Sequence, residues 1–500
     1  MSRNPRRLGG MATFLITLLI LALIGATGFV IWLCIDMVNR EPDQTLSTEQ
    51  SVDLPTETAI PTETTVPPTT EPEPVPEHVV STATVGAMGD LLMHTPIFLS
   101  KYSAVCYQED GTYDFESVFR YLKDTVSTYD YAAVNLETTL AGEAKPYSGF
   151  PMFNCPDAVV DSAVDAGFDM MLTANNHCYD TSLDGYLRTL DVCREKGMTT
   201  LGTMKSAEEP KYEIVEVNGI KIGMVCYTYE TSNGSSSYPS LNGNPMYDGS
   251  YDIINTFIPS YPGPFYEEVA GYMEEMKAAG AEATMIYMHW GVEYILQPND
   301  NQKAIAQKLC DIGFDVIVGG HPHVVQPMDL LESTVDPEHK TVCIYSLGNA
   351  VSNQRNGNVS SAPAYYTEDG ALFTVTFEKY SDGTVYVAGT DVIPTWVNMH
   401  NNNGGREYNI LPLIKDTEDQ WQTTYEMTDA QFASSQKSYE RTMGLVGEGL
   451  AECRDYLDQE KIDREQYYYD LAFYPERFET QPTEVPVETT AAEETALPAA

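Results

Sequence analysis

An α/β core of two sheets with helices packed outside is what the sequence predicts, on three observations. Between residues 80 and 398, short apolar β-branched runs alternate with segments of helical periodicity. Later runs sit close together across turn signals, so hairpins follow the early strand–helix alternation. The polar residues capable of chemistry fall just past the ends of the apolar runs, where an open α/β sheet presents its ligands.

The flanks are different material. Arg3, Arg6 and Arg7 precede a run from Leu8 to Ile35 that carries no charge, long enough to cross a hydrocarbon core of about 30 Å as a helix. Basic residues before it and Asp36, Glu41 and Asp43 after it predict a single-pass anchor over 1–37. That polarity puts the N-terminus in the cytoplasm and the main domain outside the cell membrane. Positions 38–79 are dominated by Pro, Thr and Glu, with Pro-Thr-Glu-Thr at 55–58 and again at 61–64. Such a segment buries no core and predicts a disordered, extended stalk. Positions 481–500 have the same composition and read as a disordered tail.

In the core, strands are expected at 80–88, 131–136 and 168–173, with helices at 115–129, 157–167 and 183–196. Strands at 212–217 and 221–227 flank Asn218-Gly219, a two-residue hairpin signal. A helix at 266–279 stopped by Gly280 leads into a strand at 283–288. A helix at 301–312 has Asn299 or Asp300 as cap and Gly313 as stop. The apolar run from Val316 then ends at Gly319 and Gly320, which are expected to turn the backbone tightly. Strands at 341–346, 371–379 and 384–393 complete the core over 80–398. A long helix at 429–458 lies in a C-terminal extension over 399–480.

The net charge of −45 excludes a general nucleic-acid binder, because no basic patch is available to neutralise phosphates. An acidic substrate is repelled too, unless a bound cation offsets the field locally. Cys34 falls in the apolar run, and the other eight cysteines form no C-x-x-C. Cys226 and Cys343 sit inside strand-like runs, which suits buried free thiols.

Asp90 follows the first strand, and His94 is four residues on. Asn135 and Glu137 end the second; Asn175, Asn176 and His177 follow the third, with Asp180 beyond. His289 and then His321 and His323 end two later strands. Taken singly, each has a plain reading: Asp90 a helix cap, the asparagines turn residues, His289 a histidine packed on Trp290, His94 a pocket residue. Of eight histidines, however, five stand at these strand ends, which converge on one rim where strands run parallel. Carboxylates, an amide oxygen and neutral imidazoles suit zinc, manganese or iron, while several imidazoles disfavour calcium. A bridging carboxylate would hold two such ions roughly 3.5–4 Å apart, the arrangement that activates water against phosphate esters.

Six ordered motifs carry a resemblance. They are Gly89-Asp90, Asn135-Leu136-Glu137, Ala174-Asn175-Asn176-His177 with Asp180, His289-Trp290-Gly291-Val292-Glu293, Gly320-His321-Pro322-His323-Val324 and Ser346-Leu347-Gly348-Asn349. The chain resembles the bacterial capsule-synthesis family of CapA type, associated with poly-γ-glutamate, over about 80–397. The segment Ile393-Pro394-Thr395-Trp396-Val397 looks like the family's closing segment. The resemblance implies a two-sheet α/β sandwich similar to the calcineurin-like metallophosphoesterases. It implies Asp90, Glu137, Asn176, His289, His321 and His323 as ligands of one or two divalent transition metal ions, with Glu137 where phosphoesterases carry a bridging aspartate. It implies His177 as the group that protonates the leaving oxygen, with Asp180 placed to hold its ring; His94, Asn135, Asn175, Glu293 and Asn349 are pocket candidates. Two departures stand out: position 92 is Leu where that pattern has histidine, and Asn135-Leu136-Glu137 replaces a Gly-Asp-x-x-Asp segment. The function implied is synthesis, export or attachment of an anionic capsule polymer, by hydrolysis of a phosphate ester or a γ-glutamyl amide. The expected partners are that polymer or a phosphorylated precursor, the membrane and polymer synthase subunits. A scaffold that binds polymer or synthase without catalysis is the alternative.

Overall fold

A computed structural model describes residues 74–102, 104–231, 239–247, 249–402 and 405–478. The expected anchor, nearly all of the expected stalk and the tail lie outside the described residues. Among the described residues, no helix is long and apolar enough to cross a membrane.

Two sheets form the frame. In the first, β1 (Val79–Leu91) pairs in parallel with β2 (Tyr131–Asn135), and the sheet continues through β3 (Met170–Leu172) to β4 (Thr199–Leu201). In the second, β6 (Ile220–Tyr229) lies beside the edge strand β5 (Glu213–Val217), and the two close the hairpin signalled by Asn218-Gly219. A small hairpin, β7 (Ser240–Leu241) and β8 (Asn244–Pro245), and the short β9 (Thr256–Phe257) follow. Then β10 (Ala283–His289), β11 (Val316–Gly320), β12 (Val325–Glu332) and β13 (Lys340–Leu347) give the order β12-β13-β11-β10-β6-β5. The chain returns to the first sheet with β14 (Asn349–Val351), β15 (Asp369–Tyr380), β16 (Val385–Asn402) and β17 (Gly405–Pro412), giving β17-β16-β15-β1-β2-β3-β4 with β14 beside β1.

The parallel strands are near-continuous apolar runs because both of their faces are buried. Val85, Ala133 and Phe373 of the first sheet meet Met224, Met285 and Ile344 of the second in one inter-sheet core. Outside the first sheet pack α1 (Ala158–Asp165) and α2 (Ser182–Glu195), through Val159, Ala163 and Val192. Outside the second pack α3 (Gly263–Ala278) and α4 (Asp300–Ile312), through Val269, Met273, Ile305 and Leu309. Helix α4 starts on a capping box between Asn299 and Gln302 and stops at Gly313, whose φ of 102° suits glycine. Val446, Leu450, Cys453 and Leu457 of α5 (Asp429–Phe473) join the inter-sheet core. Gly449 allows this approach, since a Cβ there would lie 1.9 Å from the Met328 carbonyl oxygen of β12.

Several expectations change. The helix expected at 115–129 is two short pieces, Glu116–Phe119 and Lys123–Val126. Bonds from Leu122 N–H to Phe119 O and from Thr125 N–H to Leu122 O tighten the chain into i→i+3 turns. The division expected at 398 falls inside β16, and β17 pairs with that strand over Thr395–Asn402. The core sheet therefore runs on into the segment read as an extension. The long helix reaches Phe473, fifteen residues past its expected end at 458. All eight described cysteines are free and buried.

Candidate metal centre

The parallel register of β1, β2 and β3 puts their C-terminal ends on one rim, and β10 and β11 deliver their ends to the same place. Asp90 is paired across to Asn135 of β2 and Asn349 of β14. His289 is the last residue of β10, opposite Gly320 of β11. The turn after β11 differs from expectation. Gly319 and Gly320 remain in the strand, and His321 (φ 94°) and His323 (φ 56°) make the turn in the left-handed region. Non-glycine residues there carry strain that surrounding structure must hold, a feature that gathers at functional sites. The glycines serve close approach instead. A Cβ on Gly319 would lie 1.9 Å from Tyr345 O, and one on Gly320 would lie 3.3 Å from Asp90 Oδ1.

Glu137 sits at the middle of the cluster, fully buried, and among the described residues neither of its carboxylate oxygens has a hydrogen-bond partner. Its Oε1 lies 3.5 Å from His289 Nε2 and 3.8 Å from His323 Nε2. Ligand atoms of Glu137, His289 and His321 fall within 4.8 Å of one another, as do those of Asp90, Glu137 and His323. Both groups are wholly buried and share Glu137. Burial, then the charges of Asp90, Glu293 and Asp180, push the Glu137 carboxyl well above the ordinary range. Burial would raise Asp90 as well, but the His323 hydrogen bond and charge, His289 and Asn135 together hold it below its ordinary value. Burial drives His289 down to about 3, and drives His321 well below its ordinary value with help from His289 and His323. Neutral imidazoles with bare lone pairs are what a metal takes. His321 Nδ1 is buried without a partner among the described residues. These orphaned atoms and the mixed nitrogen–oxygen donor set fit divalent transition ions.

The remaining site residues orient this set. Asn135 Nδ2 donates to Asp90 Oδ1 at 2.7 Å, and Asn175 Nδ2 donates to Asn135 Oδ1 at 3.1 Å and to Leu136 O at 2.9 Å. Asn175 Oδ1 in turn accepts from the His177 amide. Asn176 Oδ1 lies 2.8 Å from His289 Nε2, beside the Glu137–His289–His321 group. His323 Nδ1 donates to both Asp90 Oδ2 and Asn349 Oδ1, each at 3.1 Å, and so turns Nε2 toward Glu137. His177 Nδ1 donates to Asp180 Oδ2 at 2.7 Å, and the same oxygen accepts from the Phe153 amide at 2.7 Å. His94 belongs to neither ligand group. It is half-buried, packs edge-on against Phe153, and is held down at about 4 by burial. Glu293 is exposed and joins neither group, although its charge is felt at Glu137.

Four neighbours escaped the sequence reading. Tyr229 places its ring 4.7 Å from His321 and stacks at 6.4 Å on His289. The rule that found the others, a polar group at the end of an apolar run, also fits Tyr229 at the end of β6. Tyr294 lies 6.0 Å from the His323 ring, and Phe153 lies 4.7 Å from that of His177. Asn242, in the turn between β7 and β8, brings its Nδ2 within 3.3 Å of His177 Nδ1. No local pattern marks Tyr294 or Phe153, and Asn242-Gly243 signals only a turn.

Comparison with known families matches residues 84–354 to the model described as bacterial capsule synthesis protein PGA_cap. The chain belongs to this family. The matched range carries every strand-end residue described above. The PGA_cap chain is 26% identical over 300 residues to the PGA biosynthesis protein CapA of Bacillus subtilis (strain 168), covering 59% of this chain and 70% of that protein. It is 26% identical over 332 residues to the capsule biosynthesis protein CapA of Bacillus anthracis, covering 64% and 69%. Among solved structures, Haemophilus influenzae NAD nucleotidase (NadN) aligns with a TM-score of 0.34 at 16% identity. That alignment covers 72% of this chain and 60% of the nucleotidase.

Proposed function

We propose that this PGA_cap protein is a membrane-anchored, extracytoplasmic, metal-dependent hydrolase. It acts on a phosphate ester or a γ-glutamyl amide in the synthesis, export or attachment of an anionic, poly-γ-glutamate-type capsule polymer. The observation that carries the enzymatic reading is Glu137, a buried carboxylate without a hydrogen bond among the described residues, shared by two groups of ligand-type side chains. A protein rarely leaves such a group unpaired, because a lone buried charge costs several kcal/mol, roughly, unless a cation or a proton offsets it. The two-sheet frame with its chemistry on the strand-end rim supports a metallophosphoesterase-type fold. The uncharged run from Leu8 to Ile35 supports the anchor, and the printed functions of the Bacillus relatives support the polymer.

Asp90, Glu137, Asn176, His289, His321 and His323 would hold one or two ions of zinc, manganese or iron. When bound, such an ion supplies Lewis-acid polarisation of a phosphoryl or carbonyl oxygen and a nucleophile at neutral pH. The chain's own part is orientation and proton transfer. Asp180 takes the Nδ1–H of His177 and fixes the ring, leaving Nε2 to pass a proton to the departing oxygen or nitrogen. The Phe153 amide holds Asp180 in turn. Metal-loaded protein assayed on a generic phosphodiester, a phosphomonoester and γ-glutamyl peptides tests the reading. Turnover of one class, abolished by chelator and restored by metal, is expected. No turnover of any, with capsule formation still dependent on the chain, overturns the hydrolase and leaves a scaffold for polymer or synthase.

A further inference from the structure

The long helix α5 lies outside the matched family range, yet its contacts lead to the rim. Arg441 donates through Nε to Asp369 Oδ2 at 2.6 Å and through Nη2 to Asp369 Oδ1 at 2.7 Å. Ser438 Oγ, one helical turn earlier, donates to Asp369 Oδ1 at 2.6 Å. Asp369 is buried, and the Arg441 guanidinium also covers the rings of Tyr365 and Tyr366 at 5.6 and 5.7 Å. Three donors on one carboxylate fix the segment Tyr365–Gly370 to α5.

That segment reaches the candidate centre through Asn349, Gln354 and Gly348, and Gln354 Nε2 also donates to the Tyr294 hydroxyl at 3.0 Å. The Asn349 side chain donates to Thr367 O at 3.0 Å, while its Oδ1 accepts from His323 Nδ1. Thr367 Oγ1 donates to Gln354 O at 2.9 Å, and Gln354 Oε1 accepts from Asn349 at 3.0 Å. Gly370 is bridged to Gly348, and the Gly348 carbonyl accepts from the Asp90 amide at 3.0 Å. A Cβ on Gly370 would lie 2.3 Å from Asn349 O, so the two backbones are in direct contact. The path from Arg441 therefore reaches His323 through Asn349, and Asp90 through Gly348. None of these bonds reaches His289 or His321.

We infer that α5 is a selective brace. Arg441 and Asp369 are positioning residues for the Asp90–Glu137–His323 group and leave the Glu137–His289–His321 group alone. The inference rests on the reading of both groups as metal positions. Outer-layer partners of metal ligands commonly change affinity by about 10–100-fold, and Arg441 acts two steps further out, through the Tyr365–Gly370 segment.

The test is a coupling experiment on full-length protein, with manganese(II) titrated after chelator treatment and washing. His321→Ala leaves the braced group, and His323→Ala leaves the unbraced one. Adding Arg441→Ala to His321→Ala is expected to weaken the remaining manganese site by about tenfold, the low end of outer-layer effects. Adding it to His323→Ala is expected to change nothing. Arg441→Lys, which keeps the charge without the bidentate pair, should fall between. Arg454→Ala removes a half-exposed ion pair to Asp391 on the same helix and should leave both sites intact. Equal weakening in both backgrounds, or none in either, overturns the brace. If neither histidine variant alters manganese binding, the metal reading itself falls, and the brace with it. Should Arg441→Ala not fold, Ser438→Ala removes one of the three donors and enters the same comparison.

Discussion

Glu137 Oε1 stands 3.5 Å from His289 Nε2, and among the described residues no donor completes either oxygen of the Glu137 carboxylate. With burial and Asp90 pushing its carboxyl up, a proton and a metal ion would compete for Glu137. Metal affinity should therefore rise with pH, by up to about tenfold per unit while one proton is displaced. Glu137→Gln should lower metal content at either group, since both share the residue. In chelator, the same variant should melt no lower than the parent chain, because it removes a buried ionisable group. Calorimetry of metal binding at several pH values, with melting curves in chelator, checks all three. Unchanged metal content in Glu137→Gln removes Glu137 from the centre.

A second pH effect belongs to His94. Burial holds its imidazole at about 4 against an ordinary 6.5, so the folded chain prefers it neutral. The unfolded chain takes up the proton first as pH falls, which lowers stability. The contribution is whole above pH 6.5 and lost progressively down to about pH 4. The slope is at most about 1.4 kcal/mol per pH unit, less here because part of the ring meets solvent. His289 and His321 titrate in the same direction, so the informative quantity is a difference. His94→Gln should flatten the fall in melting temperature between pH 6.5 and 4 relative to the parent chain. Identical slopes would place His94 in a more solvated site.

His177 separates catalysis from binding. Its bond to Asp180 lies outside both ligand groups, so His177→Asn should keep metal content and melting temperature. Turnover should drop by about 10²–10⁴-fold, the usual worth of a general acid. His289→Ala should lose metal and turnover together. Normal capsule in His177→Asn, with none in His289→Ala, would make the metal structural and the chain a scaffold.

The rim was legible because an apolar strand stops where its polar ligand begins. Asp90, Glu137, His289 and His321 each stand at or just beyond such a stop. What sequence could not carry was decided across the fold. Gly319 looks like a turn glycine in one dimension, but Tyr345 of β13 presses on it in three. Phe153 and Asn242 reach His177 from loops with no periodic pattern. The last turns of α5 look too polar to be packed until Lys461 pairs with Glu378 and Tyr468 stacks at 5.1 Å on Tyr380. Asp369 and Arg441, 72 residues apart, become partners only once both sheets exist.

The two glycines of β11 give the sharpest separation of fold from site. A methyl on Gly319 would fall 1.9 Å from Tyr345 O, the same oxygen that accepts from the Trp290 indole at 2.9 Å. Relief requires β11 and β13 to part, or the indole bond to break, in the middle of the second sheet. Gly319→Ala should thus cost stability at the upper end of overpacking penalties, about 3 kcal/mol or more, and lower the melting temperature with or without metal. A methyl on Gly320 would meet only Asp90 Oδ1, at 3.3 Å, with His289 Nδ1 next at 3.8 Å. A carboxylate can give by the few tenths of an ångström needed, so the fold should survive. Asp90 is nevertheless pulled away from the geometry that Asn135 and His323 hold. Gly320→Ala should melt near the parent temperature in chelator, yet gain less stability when manganese or zinc is added. If the two substitutions exchange these behaviours, with Gly320→Ala unfolding and Gly319→Ala merely losing metal, the assignment of one glycine to the sheet and the other to the centre is wrong.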